Sequence, residues 1–247
     1  MGKFKEKYQI TPKYLSKPSK RRSGIKMTKV RFIVAHDTGN KNSTAIGNIG
    51  YYQNSRNDMS ASAHIFLDDK GIWECIPALT GTPEKAWHVL YEKPNDNAMY
   101  GYEANNCAIA VEYCYGDNIN ANEAYKRYVW VLAYICFKFG LNPSKDIVGH
   151  HILDPQRKSD PKSGLAHSGR TYEQLLIDVV KEYEDCTKEE EDEMDKITVM
   201  VNGKRMENGL LDSRAGITYV PVRAVSEALG ARVQWDSKTN TVRIEKR

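Results

Sequence analysis

The stretch GHHILDPQRKSDP, residues 149–161, is where the reading of this chain begins. It brings His150, Lys158 and Asp160 into one short, loop-like run, and Pro155 and Pro161 interrupt any helix there. Two residues able to bind a metal, with a cation just before the second, are poor core material. They suit one side of a metal site. Two other places look built to meet it: His36, which ends the apolar run VRFIVAH (30–36), and Glu112, inside CAIAVEYCY (107–115). The expectation is a zinc hydrolase site on an α/β domain, with the rest of the chain supporting or tethering it.

Working outward, residues 30–35 are β-branched and apolar and fit a buried strand that stops at His36-Asp37-Thr38-Gly39-Asn40. A strand end is where a sheet can hold a catalytic group while the next loop opens to solvent. His36 reads either as a ligand or as a hydrogen-bonded strand-end histidine. Residues 106–115 form a second buried strand, with Glu112 among apolar neighbours. A carboxylate there is costly unless paired or used, so it is either a salt-bridge partner or a general base whose pKa burial has raised.

Residues 43–54 carry a short helical spacing, and 63–68 and 71–77 form a hairpin around Asp69-Lys70. His64 opens the first hairpin strand and either lines a groove or pairs across the sheet. Residues 81–102 read as a long loop rich in Gly, Pro and Asn. That loop holds Trp87-His88, which reads as a binding rim or as an anchor for the loop. The clearest helix is 122–139, with Tyr125, Tyr128, Val129, Leu132, Ile135, Cys136 and Phe139 on one stripe and Gly140 as its C-cap. A last helix starts at the capping box 171–174.

Composition is that of a globular protein, 40% hydrophobic and 28% charged in 247 residues. The net charge of +4 is unevenly spread: KPSKRRSGIKMTK (17–29) is basic and 182–195 acidic. Residues 1–27 are expected to be a solvated basic arm, and 185–196 an acidic linker. Five cysteines without CxxC spacing read as reduced thiols. No stretch approaches the ~20 apolar residues of a membrane span, and MGKFKEKYQI lacks the apolar core of a signal peptide. The expected site of synthesis and retention is therefore the cytoplasm. Residues 197–247 change character to short strands around Asn202-Gly203 and 236–240 with one helix at 223–229, a small β-rich module without histidine.

The runs FIVAHDTGN, SAHIFLDDKG, AWHV, AIAVEY and GHHILDPQRKSDP, in that order, resemble the zinc-dependent N-acetylmuramoyl-L-alanine amidases of the type-2 amidase and peptidoglycan-recognition-protein family. The resemblance covers about residues 28–184. It implies a mixed central β-sheet flanked by helices, a peptidoglycan groove, and cleavage between the lactyl group of N-acetylmuramic acid and L-alanine. By motif, His36, His150 and Asp160 match the Zn2+ ligands, and Glu112 and Lys158 the catalytic acidic and lysine positions. His64, Trp87 and His88 match groove positions. His151 is assigned no role, and the arm before residue 28 is not explained. VNGK, TYVPVRAVSEALGARVQWD and TVRI resemble the copper-amine-oxidase-like stalk domain, here without copper ligands. The implied whole is a phage or prophage endolysin, made in the cytoplasm and acting at the wall after release. Its partners would be peptidoglycan and, through the C-terminal module, another wall polymer, with no nucleic acid. The competing readings are a recognition module that binds without cleaving and a muropeptide-recycling amidase.

Overall fold

The chain runs β1 (Ile10–Pro12), β2 (Phe32–Asp37), α1 (Ala45–Asn54), β3 (Ile65–Leu67), β4 (Ile72–Glu74), α2 (Pro94–Tyr100) and α3 (Ala104–Cys107). It continues through β5 (Ala108–Tyr113), α4 (Ala121–Phe139), β6 (Ile147–Gly149), α5 (His150–Leu153), α6 (Lys162–His167) and α7 (Tyr172–Thr187). The computed structural model describes residues 3–188 and 194–246 and divides into two compact units at residue 188.

In the first unit six strands form one mixed sheet in the order β1-β4-β3-β5-β2-β6. β3, β5, β2 and β6 are mutually parallel, β4 turns back antiparallel to β3, and β1 adds a parallel edge. This is the mixed sheet flanked by helices that the motifs implied. Central strands β2 and β5 are buried on both faces, which explains their continuous apolar runs. α4 packs against α7 and β5, with Tyr128, Leu132, Ile135 and Cys136 fully buried. Asn120 caps α4 through Glu123 N–H, and Gly140 ends it at φ 65°. Thr171 caps α7 through Gln174 N–H as its sequence foretold.

Several expectations are corrected. The loop 81–102 contains α2, started by Pro94 in its first turn and ended by Gly101 at φ 73°; Pro and Gly are helix punctuation there, not loop signals. The run 149–161 contains the single turn α5, because Pro155 follows the turn instead of interrupting it. Cys107 belongs to α3, and all five cysteines are free and buried. The acidic linker begins later than expected: α7 continues to Thr187, and Cys186 is buried with its carbonyl bonded to Lys5 N–H at 2.9 Å. At the other end Asp195 already belongs to a strand; residues 189–193 of that linker, like residues 1–2 of the arm, lie outside the described residues.

The largest correction concerns the arm, whose described residues are packed onto the domain instead of standing free in solvent. Phe4 packs among Trp130, Tyr134 and Phe137, Leu15 is 1% exposed, and β1 is part of the sheet. The basic run is split: its lysines are exposed, whereas Arg21 and Arg22 are buried. Arg22 grips Glu84 with two bonds of 2.8 and 2.9 Å. Burial alone would raise the Glu84 carboxyl, but the Arg22 fork, with Lys17 behind it, holds it below its usual 4.5. A depressed folded pKa stabilises above the unfolded value and is lost as pH falls through the folded one. The thermal midpoint of the wild type is therefore expected to fall more steeply below about pH 4.5 than that of Glu84→Gln. At neutral pH the variant, which leaves Arg22 without its counter-charge, should lose about 3–5 kcal/mol. Parallel acid profiles by circular dichroism would show that the pair carries no pH-linked stability.

The second unit contains β7 (Asp195–Ile197), β8 (Met200–Val201), β9 (Lys204–Arg205), β10 (Gly209–Asp212), β11 (Ile217–Tyr219), α8 (Val222–Ala228), β12 (Ala231–Asp236) and β13 (Thr241–Lys246). β7 and β8 are separate strands, since β7 pairs with β10 and β8 with β9. The Asn202-Gly203 turn forms with both residues at positive φ, 48° and 74°, the geometry such a hairpin requires. β12 and β13 pair antiparallel.

Candidate metal centre and cleft

The parallel register places His36 opposite Glu112 on β2 and β5, and Ala35 opposite Gly149 on β2 and β6. His150 directly follows β6. Three residues far apart in sequence therefore emerge at the carboxyl ends of adjacent strands, where open α/β sheets present ligand sites. Asp160 closes the group: its Oδ2 lies 2.8 Å from His36 Nδ1 and 3.1 Å from His150 Nδ1. His36, His150 and Asp160 form a potential metal-ligand cluster among the described residues.

The donor set fits a zinc ion. Two imidazoles and a carboxylate are zinc donors, and bonds of ~2.0–2.1 Å in a tetrahedron set donor–donor separations of about 3.3 Å, against 2.8 and 3.1 Å from Asp160 Oδ2 to the two ring nitrogens and at most 4.8 Å across the set. Burial, before any other cause, lowers the His36 pKa to about 4, keeping the ring neutral as a ligand must be. Burial would raise Asp160, but the bonds from His150 and His36 outweigh it and hold the carboxylate well below its ordinary range. His150 Nε2, His88 Nε2 and Glu112 Oε2 are buried in the same cleft without a hydrogen-bond partner among the described residues. Native proteins seldom leave such atoms unmet unless a site uses them.

Surrounding side chains fix the orientation of the cluster. His88 Nδ1 lies 3.2 Å from His36 Nε2; a proton on that Nε2 leaves Nδ1 free to ligate. Tyr128 donates its hydroxyl to the His36 carbonyl at 3.0 Å. His151, which the sequence left without a role, bonds the Asp160 carbonyl through both its backbone N–H and its ring Nδ1, at 3.0 and 3.1 Å. Gly149 is needed beside it, since a Cβ there would lie 2.4 Å from the His151 ring. Asp37 accepts from Ser163 Oγ and Gly164 N–H, both at 2.7 Å, and so ties α6 to β2. The one local signal for Asp37 was its turn with Gly39, whose N–H it accepts at 2.9 Å.

The cluster lies in a cleft of about 800 Å³. Trp87, His88, Glu112 and Lys158 all line it, together with residues the sequence did not single out: Tyr51, Tyr52, Asn48 and Arg157. Glu112 makes no ion pair among the described residues, so the salt-bridge alternative fails. Burial first, and then the Asp160 and Asp37 carboxylates, raise its pKa well above the usual range, against the lowering effect of Lys158. His64 is corrected. It is fully buried and absent from the cleft wall, with Nδ1 accepting from Ala110 N–H at 3.0 Å and Nε2 bonded to the Glu84 carbonyl at 2.8 Å. Both nitrogens serve the fold, leaving none for a ligand.

Comparison with known proteins agrees with this architecture. The sequence profile of the copper amine oxidase N-terminal domain matches residues 188–247. N-acetylmuramoyl-L-alanine amidase BlyA of Bacillus subtilis (strain 168) is 32% identical over 168 residues, 64% of this chain and 44% of BlyA. The chain thus spans less than half the length of that curated relative. A mutant endolysin from Bacillus subtilis superposes with TM-score 0.55 at 20% identity, over 70% of this chain and 99% of that one. Staphylococcus aureus hydrolase AmiA, in complex with its ligand, gives TM-score 0.56 at 24% identity, over 71% and 83%. At those identities the superpositions establish a shared fold. The profile of N-acetylmuramoyl-L-alanine amidases matches residues 26–163, more than half of the sequence, and the chain belongs to that family.

Proposed function

We propose that the first unit is a zinc amidase that cleaves the bond between N-acetylmuramic acid and L-alanine in peptidoglycan, and that the chain acts as an endolysin. The observation that carries this reading is the convergence of His36, His150 and Asp160 beside an unpaired Glu112 in one cleft. His36, His150 and Asp160 would hold the ion. When bound, zinc supplies Lewis acidity and brings a coordinated water toward a pKa of ~7. Glu112, raised and without a cation partner among the described residues, takes the proton from the attacking water and returns it to the leaving amine. Lys158 lies near enough for its charge to bear on Glu112 and His36 and balances negative charge developing on the carbonyl oxygen. Trp87 and Tyr51 offer aromatic faces at the cleft wall for the glycan and peptide. No helix of the described residues is long and apolar enough to cross a membrane.

The second unit contains no histidine or cysteine, so it supplies no ligand of those kinds, and its proposed role is a wall tether. The deciding experiment digests purified Gram-positive peptidoglycan and reads the products by mass spectrometry. Free stem peptides beginning at L-alanine are expected, and a chelator should stop their release. Sedimentation with sacculi without any release would make the domain a recognition module. A chain ending at residue 188 is expected to digest soluble muropeptides as the full chain does but sacculi more slowly; equal rates on sacculi would remove the tether.

A further inference from the structure

The two arginines buried in the arm reach two different segments of the cleft wall. Arg21 is 1% exposed and has no carboxylate partner among the described residues. Its Nε and Nη2 donate to the carbonyl and hydroxyl of Ser55 at 3.1 and 3.0 Å, and Nη1 donates to the Ala61 carbonyl. Its backbone N–H donates to the Arg56 carbonyl at 3.0 Å. The guanidinium lies 4.3 Å from the Tyr52 ring centroid and 5.3 Å from that of Tyr51. Ser55 is the C-cap of α1, so a buried cation meets the negative end of that helix. Tyr51, Tyr52, Ala61 and Ser62 line the cleft.

Arg22 serves a second segment. Beyond its fork on Glu84, the arm bonds this segment through Met27 N–H to the Pro83 carbonyl and Lys85 N–H to the Ile25 carbonyl, at 2.8 and 2.7 Å. Three residues past Lys85 stands His88, against His36. A guanidinium without a counter-ion is expensive to bury, and the position tolerates it because the fixed fork meets three acceptors at once. Lysine cannot reproduce that fork.

We infer that the Arg21–Arg22 dipeptide is a positioning element of the cleft: it holds the 51–62 wall and the 84–88 segment in the arrangement that receives substrate. This rests on the amidase reading of the cleft. Arg21 stands behind the wall and not at the reacting atoms, so its loss is felt in binding. In the full chain, Arg21→Ala is expected to raise the KM for a soluble muropeptide at least tenfold, Arg21→Lys by an intermediate factor, with kcat within about threefold and zinc content unchanged. Equal KM values in folded variants would overturn the inference. A second measurement does not depend on those variants folding. Hydrogen exchange at the Arg21 amide is followed in Glu112→Gln, with and without the muropeptide. Because coupling between sites is reciprocal, bound muropeptide must slow exchange at Arg21, and an unchanged rate under saturation removes the brace. Failure of the wild type to bind or cleave the muropeptide overturns the amidase reading and the brace with it; binding and cleavage with Arg21 insensitive overturns the brace alone.

Discussion

Glu112→Gln is expected to lower turnover by about 10²–10⁴, the range a positioned general base contributes, while zinc remains bound. The substitution keeps the shape of the side chain and removes its ability to accept a proton. Glu112 is half-buried, its Oε2 is buried and unmatched, and it has no ion-pair partner among the described residues, so its charge is a cost to the fold. Its neutral replacement should leave the thermal midpoint unchanged or raise it, as expected where an active site trades stability for function. A structural carboxylate would behave in the opposite way, with stability falling and turnover surviving. The pH dependence has a defined sign. The base form exists above its pKa, and burial and the neighbouring Asp160 and Asp37 carboxylates raise that pKa. A bound divalent cation acts against that rise, so the test is where the limb comes from: the acid limb of kcat/KM seen in the wild type should be missing from the residual activity of Glu112→Gln. Rates of stem-peptide release across pH, beside calorimetric melting curves, test both halves.

Asp160→Ala is expected to abolish activity by a different route, through loss of the metal. Asp160 Oδ2 is the atom on which both histidine Nδ1 atoms converge, and it is the one anionic member of the His36–His150–Asp160 set. Removing an outer partner of a metal ligand commonly costs 10–100-fold in affinity, so removing the ligand itself should cost more than about 100-fold. Competition with a chromogenic chelator reads this directly, without any turnover. Added zinc should restore part of the activity to a His151→Gln variant, where the ligand persists and only its bracing by the His151 ring is lost, but none to Asp160→Ala. Tight zinc binding by Asp160→Ala would transfer the third-ligand role elsewhere.

Much of the site was legible because its signals are local. A histidine at the end of a β-branched run, a glutamate inside a buried strand, and a proline-bounded loop carrying His150, Lys158 and Asp160 each break a pattern the neighbouring residues obey. Such a break is visible without the fold, since burying an unpaired polar group is costly wherever the strand lies. The same reasoning misjudged His64, because a histidine bonded to backbone on both nitrogens and one lining a groove occupy the same place in a strand pattern. It misjudged the arm as well: in KPSKRRSGIKMTK nothing local separates lysines that stay in solvent from two arginines that do not. By itself the sequence determined the family, the central strands, the long helices and the candidate metal donors. Only the tertiary structure decided that β2 and β5 set His36 against Glu112, that His88 meets His36 and His151 meets Asp160, and that the arm supports the cleft. Those contacts join residues from nine to 76 positions apart, and strand register and the burial of a guanidinium exist only once the sheet has brought them together.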